Sequence, residues 1–155
     1  AFSRCLANPN SSLEELDLRG SYIDDEGATA FANALVNDTK LKYLNLSDAR
    51  LVSAQGWRNF FNLLLGSNSA IQLLIFTGNN IGDEGLASMA DALGRMGSLK
   101  LLHLGSTNQS TTAASWMPVS NFLQHPNCSL KLLYIVDHGT GNNINDEGVV
   151  PTNPP

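Results

Sequence analysis

Five six-residue segments of one apolar pattern recur along the chain: LEELDL at 13–18, LKYLNL at 41–46, IQLLIF at 71–76, LKLLHL at 99–104 and LKLLYI at 130–135. Each carries an apolar residue at its first, fourth and sixth places. Successive starts lie 28, 30, 28 and 31 residues apart. A unit of this size cannot bury its own apolar side, so it must stack on copies of itself. Ten residues after the starts come Ile23, Leu51 and Ile81. Gln109 departs from the pattern, and the fifth copy reaches Ile144 after a longer gap.

The second half of each unit changes period. Gly27, Gly56 and Gly85 are followed at +4 and +8 by Phe31 and Leu35, Phe60 and Leu64, Met89 and Leu93, which is one helix face. Val119 and Leu123 keep the same step in the fourth copy, where Pro118 should shorten the helix. Small residues lie between them: Ala28, Ala30, Ala32 and Ala34 in the first copy, Ala87, Ala90 and Ala92 in the third. They favour helix and let neighbouring helices approach closely. The pattern predicts parallel strands near 16–18, 44–46, 74–76, 102–104 and 133–135, alternating with helices.

Registered copies of this pattern resemble leucine-rich repeats of the ribonuclease-inhibitor type, and the resemblance covers nearly the whole chain. It implies an α/β fold: a right-handed solenoid, or horseshoe segment, with an inner parallel sheet and outer helices. Residues 1–155 then form one leucine-rich-repeat domain of about five repeats, starting near 13, 41, 71, 99 and 130. The family often places Asn, Cys or Thr two residues before the second apolar anchor. Here those places hold Ser21, Ala49, Asn79, Thr107 and Asn142. Phe2 and Leu6 repeat the Phe31–Leu35 step, and Pro151, Pro154 and Pro155 oppose a fifth helix. The chain is therefore expected to be a segment of a longer array.

Asp-Glu-Gly occurs at 25–27, 83–85 and 146–148. It falls where the loop turns into helix. Asp25, Asp83 and Asp146 are expected to be helix caps, whose carboxylates accept free backbone N–H groups. Glu26, Glu84 and Glu147 fall in the first turn, where negative charge complements the helix dipole. Copy two has Ser53 at the Asp place. Serine caps well but replaces a metal or acid/base carboxylate poorly, so capping is preferred to catalysis or metal binding. The loop 137–148 collects Asp137, His138, Asp146 and Glu147 without any recognised metal-ligand spacing. No metal and no cofactor are expected.

Strand side chains alternate, so the third and fifth residues of each segment, and the residue after the sixth, face the concave side. One row reads Glu15, Tyr43, Leu73, Leu101, Leu132, and the next Asp17, Asn45, Ile75, His103, Tyr134. A third reads Arg19, Ser47, Thr77, Gly105, Val136. Exposed apolar rows mark partner sites, so Tyr43, Leu73, Ile75, Leu101, His103, Leu132 and Tyr134 are the expected partner-binding residues. The partner is expected to be a protein or peptide.

Composition excludes other classes. Net charge is -5, and the nine Lys and Arg are scattered, which argues against nucleic acid. No apolar run has the length of a membrane span. No motif for nucleophilic catalysis, phosphate cradling or dinucleotide binding occurs, so neither an enzyme nor a small-molecule substrate is expected. Two cysteines, Cys5 and Cys128, make neither a disulfide scaffold nor a zinc site, which points to a reducing, cytoplasmic setting. Asn-x-Ser/Thr patterns begin at Asn10, Asn37, Asn45, Asn108 and Asn127, and would matter only in a secreted chain. The functional expectation is an interaction module within a larger sensor or scaffold. The alternatives are an enzyme inhibitor or a GTPase-activating regulator on the same repeat, the latter using Arg50 in a strand-exit loop.

Overall fold

The computed structural model describes residues 11–36, 40–65, 70–105, 113–126 and 128–135. Strands and helices alternate along it: β1 (Glu15–Asp17), α1 (Asp25–Leu35), β2 (Tyr43–Asn45), α2 (Ala54–Leu64), β3 (Leu73–Ile75), α3 (Gly82–Leu93), β4 (Leu101–His103), α4 (Met117–Leu123) and β5 (Leu132–Tyr134). A 3-10 turn at Ala113–Trp116 leads into α4. The strands form one parallel sheet in chain order, β1 to β5. Register is constant: Leu16, Leu44, Leu74, Leu102 and Leu133 stand side by side. This is the stacked α/β solenoid that the repeat requires.

Each strand begins and ends one residue earlier than expected. The sixth residue still donates to the ladder: Leu18 N to Asn45 O, Leu46 N to Ile75 O, Phe76 N to His103 O. Its carbonyl, however, is taken by the turn. Leu18 O accepts from Ser21 N, while Leu46 O and Phe76 O accept from the side chain of Asn79. The strand stops where its acceptors leave the ladder.

Repeat positions one, four and six form the core. Leu41, Leu44, Leu46, Ile71, Leu74, Phe76, Leu99, Leu102 and Leu104 are all buried. The end repeats are looser: Leu13 is exposed, and Leu130, Leu133 and Ile135 are partly buried. The helix face is also as expected, with Phe31, Leu35, Phe60, Leu64, Met89 and Leu93 buried. Ala28, Ala32, Ala34, Ala90 and Ala92 lie in the contact, while Ala30 points outward. Trp57, Phe60, Phe61 and Phe76 form an aromatic cluster with centroids 5.0–6.3 Å apart, largely edge to face. Such geometry adds to the energy of area burial alone.

Two packing expectations need correction. In the second unit the apolar anchor is Val52, 2% exposed, whereas Leu51 is 57% exposed. One extra residue separates the strand of that unit from its helix, so counting from the strand lands one place early. In α4 the buried pair is Val119 and Phe122, and Leu123 is only partly covered. That helix has 7 residues against 11 or 12 in the others, with Pro118 in its first turn, as expected.

Candidate functional site

The sheet face turned away from the helices carries the rows read from the sequence. Glu15, Tyr43, Leu73, Leu101 and Leu132 are consecutive neighbours, and so are Asp17, Asn45, Ile75, His103 and Tyr134. All seven expected contact residues therefore lie on one surface. They are not equally available. Leu73, Ile75, Leu101, His103 and Tyr134 are half-buried, and Leu132 is exposed.

Tyr43 acts differently from the leucines. Its phenol oxygen accepts from Asn45 Nδ2 at 3.3 Å. Asn45 in turn accepts from Ser47 N at 3.0 Å and Ser47 Oγ at 2.7 Å. Asn45 and Ser47 are 2% and 4% exposed. The β2 part of the face is therefore a closed polar network under Tyr43, and Asn45 is inaccessible to glycosylation.

Further along, Thr77 Oγ1 and His103 Nδ1 lie 2.7 Å apart. The His103 ring meets Tyr134 edge to face at 5.4 Å. At the other end Asp17 accepts from Arg19 N at 3.0 Å and pairs with its guanidinium at 3.0 Å. The Arg19 backbone N–H, with help from its side chain, holds the Asp17 carboxyl below its ordinary value of 3.8; slight burial opposes this.

At the strand-exit edge the expected caps are partly revised. Ser53 caps α2, its hydroxyl accepting from Gly56 N at 3.1 Å. Asp25 does not cap α1. Asp24 does, accepting from Gly27 N at 2.8 Å. Asp25 instead reaches the next repeat, accepting from Ser53 N at 2.7 Å and Ser53 Oγ at 2.6 Å. Asp83 is not a cap either: it lies inside the first turn of α3, whose start has no side-chain cap. The equivalent of Asp24 and Ser53 there is Gly82, held at φ +70°. Counting back three from the helix glycine would have found Asp24, Ser53 and Gly82 together. Asp146, and the 137–148 loop read for metal, lie outside the described residues.

Elsewhere the polar chemistry is structural. Arg50 pairs with Asp48 at 3.0 Å, and Arg58 of α2 pairs with Glu84 of α3. Cys128 is half-buried and unbridged. A groove of about 520 Å³ lies on the helical side, lined by Asp91, Arg95, Asn121 and His125 around Phe122. Among the described residues no group of His, Cys, Asp and Glu is placed to hold a metal ion, and no helix is long and apolar enough to cross a membrane.

Comparison with known proteins gives a consistent picture. Residues 10–32 and 67–90 match the family model described as Leucine Rich repeat. A protein phosphatase 1 regulatory subunit 37 homolog from Caenorhabditis elegans is 34% identical over 87 residues, 56% of this chain and 9% of that protein. The Mus musculus NACHT, LRR and PYD domains-containing protein 14 is 28% identical over 131 residues, 84% of this chain and 13% of its own length. The chain thus spans only a small part of these relatives. Among solved structures, the leiomodin-1 actin-binding site 2 superposes with a TM-score of 0.74 at 20% identity, over 88% of this chain and 76% of that one. A tropomodulin C-terminal domain from Caenorhabditis elegans gives 0.73 at 17%, over 86% and 79%. These likenesses establish the fold.

Proposed function

This chain is a leucine-rich repeat protein, and from that premise we propose that it is a non-enzymatic interaction module that holds a protein or peptide partner on its concave sheet face. One observation carries the reading. In the three central repeats the inward positions are filled by buried core side chains, yet on the other face Leu73, Ile75 and Leu101 remain partly open, as do Leu132 and Tyr134 in the next repeat. Apolar surface left in water costs about 25 cal/mol per Å², and contiguous patches of it mark partner sites.

The names of similar proteins support the same class. The leiomodin domain is an actin-binding site and the nematode relative a phosphatase regulatory subunit. The curated relatives are far longer than the stretch matched here, which supports placing the module within a larger sensor or scaffold. Tyr43 is assigned a smaller role than the other six residues, because it covers the Asn45–Ser47 network.

The test is a captured partner compared across faces. Leu73→Asp and Tyr134→Ala should each weaken binding, Tyr134→Ala by about 1–3 kcal/mol. Asn121→Arg, on the helical side, should not. Binding that survives both sheet-face changes and fails with Asn121→Arg would overturn the assignment.

A further inference from the structure

The second residue of each unit forms a row along the strand-entry edge. Backbone bonds set its order: Glu14 O accepts from Lys42 N, Lys42 O from Gln72 N, Gln72 O from Lys100 N, and Lys100 O from Lys131 N, at 2.7–2.8 Å. The two ends of this row differ. Lys42 is neutralised by Glu14 at 2.8 Å. Lys100 rests on the neutral Gln72 amide at 3.0 Å. Lys131 makes no ion pair among the described residues. Both Lys100 and Lys131 are exposed, on a chain whose net charge is -5. Arg19, Arg50 and Arg58, by contrast, each meet a carboxylate.

These two ammonium groups, which meet no carboxylate among the described residues, precede Leu101 and Leu132 in the chain. A cationic edge therefore borders the apolar strip Leu73–Leu101–Leu132 where β4 and β5 pair. Strands stand about 4.8 Å apart. Helical side chains at i, i+3 and i+4 are about 5–6 Å apart, whereas same-face side chains of an extended chain are about 6.6 Å apart. A helix laid across the strands thus sets successive apolar side chains over successive leucines.

We propose that the docking element of the partner is an amphipathic helix with a leucine-type stripe flanked on one side by carboxylates, the stripe lying over Leu73, Leu101 and Leu132 and the carboxylates meeting Lys100 and Lys131. This rests on the concave-face reading above and specifies its partner. The other flank of the helix faces Ile75, His103 and Tyr134, which ask for no acidic charge. About 16 residues of helix suffice to cross the sheet.

The experiment uses two labelled synthetic helices of that length with identical leucines, one flanked by glutamates and the other by lysines, titrated by fluorescence anisotropy. The glutamate-flanked helix should bind about tenfold more tightly at low salt, a gap that closes as salt rises. Lys100→Glu with Lys131→Glu should invert the preference, with an unchanged circular dichroism spectrum as the folding check. Arg95→Glu, in the helical-side groove, should leave it intact. Equal binding, preference for the lysine-flanked helix, or binding of neither overturns the helix proposal. Capture of another partner that Leu73→Asp still abolishes would leave the concave face standing in that case. A preference that survives the Lys100/Lys131 change and is lost with Asn121→Arg overturns both.

Discussion

Asp25 of the first repeat grips Ser53 of the second: one carboxylate oxygen accepts from the serine N–H at 2.7 Å and the other from its hydroxyl at 2.6 Å. Ser53 at the same time caps α2 through Gly56 N. One serine thus ends a loop, starts a helix and ties two repeats together. Gly56 makes room for this, since a Cβ there would stand 2.1 Å from Asp25 Oδ1.

Asp25→Ala should therefore lower stability by about 1–2 kcal/mol, and Ser53→Ala by a similar amount, in urea unfolding. The double variant should lose less than the sum, with a coupling of at least about 0.5 kcal/mol. Strict additivity would mean that the two side chains act separately.

Asn79 and Ser21 occupy equivalent repeat positions with opposite consequences. Asn79 is 2% exposed, accepts from Ala49 N and donates to Leu46 O and Phe76 O, at 2.9–3.0 Å. Asn79→Ala strands those three buried groups and should cost about 2–4 kcal/mol. The buried Ser21 hydroxyl has no partner, so Ser21→Ala should stay within about 0.5 kcal/mol of the parent. Comparable losses at both sites would contradict the hydrogen-bond account.

Gly82 sits at φ +70°, and a Cβ there would stand 2.9 Å from Ala54 Cβ in the preceding helix. Gly82→Ala combines left-handed strain with a clash and should lower the melting temperature clearly, by about 2 kcal/mol or more in stability. Gly97 has open space around it. Gly97→Ala is the matched control, and calorimetry should show little change.

The Asp17 carboxyl lies below its ordinary value of 3.8, chiefly because the Arg19 N–H donates to it, with the Arg19 side chain assisting. Its folded pKa is depressed, so the unfolded chain binds more protons in this range and stability rises with pH. The contribution is present above 3.8 and is lost as the pH falls through the lowered folded value. The stability gap between the parent and Asp17→Asn should accordingly shrink between about pH 5 and pH 2. A gap that widens on acidification would reverse the sign and exclude this pairing.

Much of this molecule was legible in one dimension. Leu44 and Leu74 are core and Leu73 and Leu101 are surface because strand side chains alternate, and the repeat places each residue beside its homologue. The rows on the sheet face follow from that alone. Phe60 and Leu64 follow from helical period in the same way. Errors arose where two local frames meet. In the frame of the strand Leu51 is the anchor and Ser53 aligns with Asp25; in the frame of the helix Val52 is the anchor and Ser53 aligns with Asp24, because the second unit holds one more residue between strand and helix.

Periodicity of the sequence alone determined the stacked strand–helix order, the buried leucine positions and the composition of the sheet face, since each depends on local geometry repeated. Tertiary structure alone decided what distant residues do to one another: Asp25 on Ser53 across 28 positions, Asn79 on Ala49 across 30, and Lys42 on Glu14 across one repeat, while Lys131 meets no carboxylate among the described residues. Such contacts depend on the closeness and tilt of stacked units, and on which side chain wins a shared donor. Those are properties of the packed solid, which no single repeat encodes.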